Sequence, residues 1–600
     1  MNKYIKKSLR MGIIAAAGAA AMVSCTDTWN DHYDGTAGVS YNGTTMEAIE
    51  AQAPDFAAVI KAVGYDRELN SDNVYTIWAP TNFDKEYWLN LAKTDSATVV
   101  DKFIKNHIAR YAQSVDGLTH SIDLMSSKVT TMTDKNFGAS SLVEGKVNLT
   151  CTNGVLHMID KNIVYQNNIF ELIKEQYDQS SYASKDSLGG SLYTFLKVWD
   201  EDSLDENKSV SRGVDENGEK IWVDSVVIRN NTALKNVDGL VYEEDSSYIA
   251  IVPSPEAYHE RYNIYKKLLQ FNPSEDTKKE GACDSLTNYY ANMFTMHDLY
   301  YNKNANEHME DSLKSTVYTA KNSPYSVYYR KDKIDQPAER PTHDILAGLT
   351  PTDCSNGEAY LTDEFPMSIT EQSFQRIKIE PSSYNLATTS DAKGIGMYTK
   401  NIGSTSNRQG TLTDYLIVDG DTISKIGTRS YSFMDIPPSG NVNPYISFFI
   451  PNTLSGTYEL YLVTCPIWAK TGFSNGEKYE DDPRAYRFYT YVWERQNSGS
   501  KIGEYASSGK QLLNPEDGTK YFVTNPENKI DTLYLGDYTF ANTYYARGET
   551  ENLAGVMLQF VVQITSKLTS QYSREMLISN IILKPKADAL EEETESNRRK

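Results

Sequence analysis

Two segments of this chain repeat one pattern, an apolar strand that ends at a proline, and this repetition limits the possible fold more than any other feature. Residues 74–82 read Val-Tyr-Thr-Ile-Trp-Ala-Pro-Thr-Asn, and residues 247–255 read Ser-Tyr-Ile-Ala-Ile-Val-Pro-Ser-Pro. Because proline cannot donate to the hydrogen-bond ladder of a sheet, each strand is expected to end at Pro80 or Pro253. A hydroxyl residue follows each proline, which is typical of a turn that leads into a helix.

Two further landmarks follow in the same order in both copies. Residues 103–107 (Phe-Ile-Lys-Asn-His) correspond to residues 293–297 (Met-Phe-Thr-Met-His), so the two terminal histidines are expected to be equivalent. Residues 151–160 (Cys-Thr-Asn-Gly-Val-Leu-His-Met-Ile-Asp) correspond to residues 354–363 (Cys-Ser-Asn-Gly-Glu-Ala-Tyr-Leu-Thr-Asp). The spacing between the copies increases along the chain, as expected if the second copy carries loop insertions. This order predicts a duplicated domain.

Local patterns in the first copy predict helices that pack on a mostly antiparallel set of strands. Apolar residues recur at helical spacing and form one face of a helix: Ile49, Phe56, Val59, Ile60 and Val63. The Pro-Thr-Asn turn is expected to cap the next helix through its threonine or asparagine side chain. The Asn-Gly pair of the third landmark tolerates positive φ and predicts a tight hairpin. Together these elements indicate an α+β domain.

The three landmarks resemble those of the fasciclin domain. The first copy is similar to that domain over residues 40–166, and the second over residues 167–372, with insertions. The resemblance implies two fasciclin-like domains with these motif positions: Pro80, Thr81, Asn82, His107, Asn153, Gly154, His157, Pro253, His297, Asn356 and Gly357. The second copy departs from the motif at Pro255, which replaces its asparagine, and at Tyr360, which replaces its histidine.

The last third of the chain changes character from helical periodicity to short β runs separated by turn signals. This pattern predicts an all-β sandwich over residues 380–586. Residues 455–462 and 578–585 resemble strands of jelly-roll modules, many of which bind carbohydrate. Residues 587–600 are charged and are expected to form a frayed tail. The predicted fold class is a multidomain α+β protein with two fasciclin-like domains followed by an all-β sandwich.

The amino-terminal residues combine a basic start, an apolar run and a cysteine. The apolar run over residues 11–24 is shorter than the ~20 residues that a membrane-spanning helix needs. Its order resembles a bacterial lipoprotein signal at residues 1–24, and the alternative is an ordinary secretory signal. The lipoprotein resemblance implies cleavage before Cys25, acylation of its thiol by palmitate-type chains, and a linker over residues 25–39. It also implies a protein anchored to the outer membrane that faces the cell surface.

Charge and motif content limit the classes of function. The net charge of −21 at pH 7 repels phosphate backbones, so we expect no nucleic-acid partner. The sequence contains neither a Gly-x-Ser-x-Gly nor a His-Glu-x-x-His motif, so we expect no enzyme activity, no cofactor and no metal. The acidic stretches 200–207 and 215–219 lack the ligand spacing of a calcium loop and are expected to be solvated loops. The two terminal histidines of the repeats, His107 and His297, have either a shared metal-binding or ligand-binding role, or a structural hydrogen bond to a carbonyl that holds the hairpin.

An alternating aromatic segment is the best candidate for a ligand-binding surface. Residues 486–493 read Tyr-Arg-Phe-Tyr-Thr-Tyr-Val-Trp, which in a strand places alternate side chains on opposite faces. One face carries Arg487, Tyr489, Tyr491 and Trp493, and we expect it to stack on sugar rings. The alternative is that this face belongs to the sandwich core, with the arginine at its rim.

These features predict a non-enzymatic lipoprotein that binds an extracellular glycan, peptide or partner protein. The sequence resembles fasciclin-domain lipoproteins of Bacteroidota, which implies an accessory role in a nutrient-uptake system beside an outer-membrane transporter and its binding lipoprotein. The alternative is an adhesion or envelope-scaffold protein without a small ligand. A third hypothesis is a hydrolase with an unrecognised site in the sandwich.

Overall fold

The computed structural model describes two long stretches of the chain, residues 40–379 and 407–586, with short gaps. The gaps are 72, 185–189, 205, 207–208, 215–217, 225–226, 272–281, 318–325, 335, 337–339, 419–420, 437, 439–442, 466–483, 496–507, 526–530 and 545–554. The predicted signal, Cys25 with its linker, and the predicted tail lie outside the described residues. The chain divides into two compact units: the first runs to Glu171 and includes Val241–Ser247 and Asp353–Gly357, and the second contains Leu172–Leu240, Tyr248–Thr352 and the chain from Glu358 onward.

The first repeat contains short helices and two small sheets. Its helices are α1 Thr45–Gln52, α2 Pro54–Ala62, α3 Asp66–Leu69, α4 Lys85–Thr94 and α5 Ser96–Thr98, followed by a π-helical turn Val99–Ile104 and a 3₁₀ turn Lys105–His107. Its strands are β1 Tyr75–Pro80, β2 Ile108–Arg110, β3 His120–Asp123, β4 Val129–Met132, β5 Asn136–Phe137, β6 Ser140–Ser141, β7 Leu149–Cys151 and β8 Gly154–Ile159.

The second repeat has longer helices and an insertion of two nested antiparallel strand pairs. Its helices are α6 Ile169–Gln179, α7 Leu192–Val198, α8 Thr232–Asn236, α9 Pro255–Leu268, α10 Ala282–Met296 and α11 Ile369–Gln372, with 3₁₀ turns at Ser181–Ser184 and Lys303–Ala305. Its strands are β9 Asp200–Leu204, β10 Val210–Val214, β11 Lys220–Asp224, β12 Val227–Asn231, β13 Tyr248–Pro253, β14 Tyr300–Asn302, β15 Ser312–Lys314, β16 Val327–Tyr329, β17 Pro351–Cys354 and β18 Gly357–Thr362.

The central sheets of the two repeats have the same strand order. The first is ordered β2-β1-β8-β7, and the second is ordered β14-β13-β18-β17. Each sheet therefore places the strand that ends at proline beside the strand that follows the Asn-Gly pair. In the first repeat these two strands are parallel, with Tyr75 opposite Gly154. The shared order is what a duplicated domain requires, and the prediction of a mixed α+β fold is confirmed.

The strand β1 is buried along its whole length because both of its faces are covered. Ile77 packs in a cluster with helical residues such as Phe56 and Phe103. Trp78, on the opposite face, packs in a second cluster with residues of β3 to β5 and stacks on Phe137 at 4.1 Å between ring centroids. Burial on both faces explains why this segment reads as a continuous apolar run rather than an alternating one.

The predicted helix around residues 49–63 is two helices. α1 ends before Ala53, and α2 begins with Pro54 as its first residue. Proline lacks the N–H that would continue the hydrogen bonding of α1, but it suits the first turn of a new helix. The predicted cap of helix α4 was also wrong. The cap is the side chain of Asp84, which accepts a hydrogen bond from an N–H of the first turn, rather than Thr81 or Asn82.

One asparagine side chain in each repeat ties the hairpin to the first helix. The Oδ1 atom of Asn153 accepts a hydrogen bond from the N–H of Thr45 at 2.7 Å, and its Nδ2 atom donates to the carbonyl of Leu69 at 2.8 Å. The glycine that follows, Gly154, has φ of 151°. A Cβ atom there would lie 2.0 Å from the carbonyl oxygen of Tyr75, so only glycine fits.

The second repeat uses the same arrangement. The Oδ1 atom of Asn356 accepts from the N–H of Ile169 at 3.0 Å, and its Nδ2 atom donates to the carbonyls of Val241 at 2.8 Å and Glu243 at 3.0 Å. Gly357 has φ of 140°. We call this set of hydrogen bonds the asparagine clamp. Because the clamp recurs on equivalent elements, it is a property of the repeat rather than of one loop.

The first acidic stretch of the second repeat forms a strand rather than the predicted solvated loop, whereas residues 215–217 of the second stretch lie outside the described residues. Asp200–Leu204 forms strand β9, which pairs with β12, and β10 pairs with β11. The carboxylate of Asp200 lies 3.1 Å from Nε of Arg229 on the partner strand. Cross-strand pairing of this kind lets a strongly acidic segment form a strand.

A buried lysine joins the first repeat to segments of the second within the first unit. Only 7% of the Lys128 side chain is exposed, and its ammonium group lies 2.6 Å from Glu171 and 2.7 Å from Glu244. It also donates to Ser355 at 3.2 Å and lies 4.9 Å from the ring centroid of Tyr165. Removing one member of a buried ion cluster leaves an uncompensated charge, so the cluster fixes these segments together.

The carboxy-terminal part is a sandwich of two mainly antiparallel sheets in the second unit. Its strands are β19 Ile377–Ile379, β20 Asn407–Val418, β21 Asp421–Ile436, β22 Tyr445–Ile450, β23 Gly456–Cys465, β24 Ala485–Glu494, β25 Lys510–Gln511, β26 Phe522–Val523, β27 Asp531–Phe540, β28 Val556–Val562, β29 Tyr572–Ser573 and β30 Met576–Pro585, with a 3₁₀ turn at Ser566–Leu568. One sheet has the order β20-β21-β30-β23-β27 with β19 on β30, and the other has the order β22-β28-β24-β25 with β26 and β29 on β24. The short strand β29 pairs with β24 in parallel.

Strands that follow each other along the chain alternate between the two sheets, from β21 to β22, β23 and β24. The inner faces bury large side chains such as Leu460 and Phe488, both 0% exposed. The Tyr486 hydroxyl crosses between the sheets and donates to the carbonyl of Cys465 at 2.5 Å. The sandwich core therefore combines apolar burial with a hydrogen bond that satisfies a buried hydroxyl.

The asparagine clamp predicts the effect of an almost isosteric change. In Asn153→Asp and Asn356→Asp variants, the carboxylate can still accept the helix N–H but cannot donate to the carbonyls that it faces. We expect each variant to lower the free energy of unfolding by about 1–3 kcal/mol, measured by urea denaturation. The exposed Asn90→Asp variant on α4 is the matched control and should unfold like the parent chain. Equal stability of all three variants would contradict a structural role for the clamp.

Candidate functional site

The predicted ligand-binding residues lie on strand β24, in the middle of its sheet. β24 pairs with β28 on one side, with Tyr489 opposite Val561 and Tyr491 opposite Gln559. On the other side it pairs with the short strands β25 and β26. The alternation of the sequence holds in the structure: Tyr486, Phe488, Thr490 and Val492 are buried on the inner face. The opposite face is therefore available to carry a surface function.

Three of the four predicted residues are partly exposed on that second face. Arg487, Tyr489 and Tyr491 alternate with the buried residues of the strand. The rings of Tyr489 and Tyr491 are 6.3 Å apart and nearly perpendicular, at 82°. We call these three residues, with Tyr521, the β24 surface. It presents aromatic faces next to a guanidinium group, a combination that suits polar ligands with apolar faces.

Tyr521 completes this surface and was not predicted from the sequence. Its ring stacks on Tyr489 at 4.8 Å between centroids, and the Arg487 guanidinium carbon lies 3.5 Å from its centroid. The contact with Tyr521 raises the pKa of the Tyr489 phenol to about 12, above an ordinary value at which this phenol is already neutral near pH 7. No local signal links the two tyrosines, because the chain brings them together only through the pairing of β24 with β26.

Trp493 is not exposed on the ligand-binding face where the sequence placed it. Only 7% of its surface is exposed. The backbone of Gly509 lies against the indole, since a Cβ atom there would come within 2.6 Å of the indole nitrogen. Trp493 therefore packs within the fold beside the β24 surface. For this residue the alternative of a packed sheet position, which the sequence left open, describes the structure better.

The proline-turn motif has the same backbone contact in both repeats. The N–H of Thr81 donates to the carbonyl of Ile159 at 2.9 Å, and the N–H of Ser254 donates to the carbonyl of Thr362 at 2.8 Å. Pro80 ends β1, and Pro253 ends β13. These motif residues connect elements of the fold, and the described contacts give them a structural role.

The two motif histidines of the first repeat, His107 and His157, use both ring nitrogens in structural hydrogen bonds. His107 is buried, with Nδ1 donating to the carbonyl of Phe103 at 2.7 Å and Nε2 accepting the N–H of Ile163 at 3.1 Å. His157 is also buried, with Nε2 donating to the carbonyl of Gln113 at 3.0 Å and Nδ1 accepting a backbone N–H. Burial lowers the pKa of each imidazole to about 4. Of the two roles left open for His107, the structural one fits these contacts.

His297 is not the structural equivalent of His107. In the first sheet Ile77 lies opposite Ile108, the residue after His107, whereas in the second sheet Ala250 lies opposite Tyr300. The residue before Tyr300 is Leu299, so a leucine occupies the histidine position and His297 lies two residues earlier.

The equivalent polar residues are Asn106 and Asp298, each of which accepts a hydrogen bond from a serine hydroxyl. Asp298 has φ of 61°. In the second repeat, a turn at this residue therefore separates the helix from the strand, and this turn shifts the alignment by two residues.

Among the described residues, no cluster of three or more histidine, cysteine or carboxylate side chains is arranged to hold a metal ion. In the same part of the chain, every helix is too short or too polar to cross a bilayer.

Comparison with known proteins gives little guidance. No protein-family model and no curated protein matches the chain. Among solved structures, the chain is similar to a FAS1 domain pair from the insect cell adhesion molecule Fasciclin I, with 10% sequence identity, 53% of this chain and 98% of that chain covered, and a TM-score of 0.17. A TM-score this low supports no conclusion about the fold or function of this chain.

The buried histidines predict a loss of stability in mild acid. Unfolded histidine titrates near 6.5, so between that pH and about 4 the unfolded chain binds protons that folded His107 and His157 exclude. The free energy of unfolding should therefore fall as the pH is lowered through this window, by about 1.4 kcal/mol per pH unit for each histidine. Urea denaturation at pH 7, 6 and 5, followed by hydrogen exchange of peptides from the first unit, measures this slope.

Two variants separate the buried histidines from the rest of the chain. His157→Asn should reduce the dependence on pH, whereas replacement of the exposed His308 by Asn should leave it unchanged. An identical slope in the parent chain and in His157→Asn would show that this imidazole does not exclude a proton in the folded state.

Proposed function

We propose that this protein is a non-enzymatic cell-envelope lipoprotein that binds an extracellular glycan or peptide. The observation that carries the proposal is the β24 surface, where Arg487, Tyr489 and Tyr491 share one partly exposed face and Tyr521 stacks beside them. Tyrosine provides a large contact area at low cost in conformational entropy. The guanidinium group adds hydrogen-bond donors for hydroxyls or carbonyls at the edge of the rings.

The state of the motif histidines supports a binding role rather than catalysis. A general base needs a free ring nitrogen and a pKa near the working pH. Both nitrogens of His107 and of His157 are used by backbone groups, and burial holds the pKa of each near 4. These residues maintain the fold instead of exchanging protons with a substrate.

We infer that the two repeats are fasciclin-like domains followed by a jelly-roll-like sandwich. The common strand order of their sheets and the recurring asparagine clamp support the first part. The alternation of successive strands between two sheets supports the second part.

The proposed location is the outer membrane, with a lipid anchor at Cys25 and the protein at the cell surface. In this setting the protein is an accessory component of a nutrient-uptake system, beside an outer-membrane transporter and its binding lipoprotein. The support is the order of basic residues, apolar run and cysteine at residues 1–25.

An adhesion or scaffold role without a small ligand is the second candidate function. The ion cluster around Lys128 favours it, because this cluster fixes residues of both repeats within one compact unit. A compact unit that is held together by a buried ion cluster is suited to act as a scaffold for a partner.

Binding measurements on the full chain test the proposed function. A glycan array and a peptide pool should identify a ligand whose dissociation constant rises about tenfold or more in Tyr491→Ala and in Arg487→Ala. Tyr87→Ala, an exposed tyrosine on helix α4, is the matched control and should bind normally. Absence of binding to both panels, together with retained cell–cell contact, would instead favour the scaffold role.

Mass spectrometry of the protein extracted from membranes tests the lipid anchor. We expect an amino-terminal Cys25 that carries acyl chains, and a Cys25→Ser variant that is recovered in the soluble fraction because its thiol cannot be acylated. An unmodified amino terminus in membrane-extracted protein would contradict the proposed anchor.

A further inference from the structure

A second aromatic surface lies on the other sheet of the sandwich, on its outward face. Strands β27, β23 and β30 are neighbours in that sheet. Tyr461 lies opposite Tyr534, and Glu459 lies opposite Asp537 on β27 and Lys584 on β30. The alternate residues of β23 and β27, such as Leu460 and Leu535, are buried on the opposite face of the sheet. The outward face therefore carries a row of tyrosines next to a row of charged side chains.

The two tyrosines form a fixed aromatic pair with their hydroxyls already bound. Their ring centroids are 5.3 Å apart, with 41° between the ring planes. The hydroxyl of Tyr461 donates to Glu459 at 3.0 Å, and that of Tyr534 donates to Asp537 at 2.5 Å. Tyr534 is 37% exposed. The hydrogen bonds orient the rings while their faces stay accessible to a ligand.

A β-bulge brings the tyrosine and the aspartate of β27 onto the same face. Residues three positions apart in a regular strand point to opposite faces. The register of β23 with β27 shifts between Leu460 and Tyr461, and Gly536 at this point has φ of 104°. The extra residue lets Tyr534 and Asp537 both face outward, and bulges commonly re-aim side chains beside functional sites.

The charges on this surface balance. The ammonium group of Lys584 lies 3.4 Å from Glu459, and that of Lys586 lies 2.9 Å from Asp537. The paired charges give no net attraction for a strongly anionic or cationic polymer. The carboxylates accept, and the ammonium groups donate, the hydrogen bonds that sugar hydroxyls require.

We propose that Tyr461, Tyr534, Glu459 and Asp537 form a binding site for a neutral glycan chain. Sugar rings stack on the tyrosine faces through their C–H groups, and their hydroxyls bind the carboxylates. The bulge in β27 interrupts the hydrogen-bond ladder that an added peptide strand would need, which disfavours a strand of a partner or of a second copy. This site would bind the same class of ligand as the β24 surface of the proposed function. It lies on the other sheet of the sandwich and does not depend on that surface.

Isothermal titration of the full chain with soluble neutral polysaccharides, a glucan, a galactomannan and an arabinoxylan, tests the site. We expect at least one to bind, and acidic polygalacturonate to bind about tenfold or more weakly. Tyr534→Ala should weaken binding about tenfold or more, whereas Tyr534→Phe, which keeps the ring and loses only the hydrogen bond to Asp537, should lose less. Tyr87→Ala is the control for an unrelated exposed tyrosine.

The outcomes separate this site from the β24 surface. Loss of binding in Tyr534→Ala and Tyr461→Ala, with Tyr491→Ala unaffected, supports the site even if the β24 surface binds nothing. Loss in Tyr491→Ala alone overturns the site and leaves the proposed function intact. No binding to any neutral polysaccharide, or a peptide or dimer contact that Tyr534→Ala abolishes, also overturns it. Circular dichroism confirms that each variant is folded.

Discussion

The asparagine clamp is the interaction on which the architecture of both repeats depends. The first N–H groups of a helix have no acceptor within the helix. In each repeat, the side chain of Asn153 or Asn356 satisfies one of them and at the same time donates to a carbonyl in the segment that precedes the central strand. A single amide therefore holds together the first helix, this segment and the hairpin. An amide side chain can accept and donate hydrogen bonds at the same time, which explains why asparagine occupies this position in both repeats.

Strong local signals made part of the fold predictable. Pro80 and Pro253 end their strands as expected, because proline cannot extend a ladder. The Asn-Gly hairpins also form as expected. The prediction that His297 is equivalent to His107 was wrong, because a turn at Asp298 adds two residues before the strand. An alignment of short motifs does not detect such a shift. The acidic stretch Asp200–Leu204 forms strand β9 because pairing with β12 outweighs its composition.

For the candidate site, the sequence predicted only which side chains of strand β24 share a face. The strict pattern on β24 located Arg487, Tyr489 and Tyr491 on one face, since side chains alternate in any strand. The burial of Trp493 depends on the backbone at Gly509, which no periodicity reveals. Tyr521 reaches the surface only through strand pairing. The sandwich thus presents partly exposed tyrosines on paired strands, while His107 and His157 of the first repeat serve its core.

Hydrogen exchange of two backbone amides tests the central claim, that one clamp recurs in both repeats. Thr45 and Ile169 are the first residues of α1 and α6, where amides ordinarily exchange fast because the helix offers them no acceptor. The clamp predicts that both amides exchange as slowly as those in the central strands. Exchange of either amide at the rate of an open helix terminus would contradict the account.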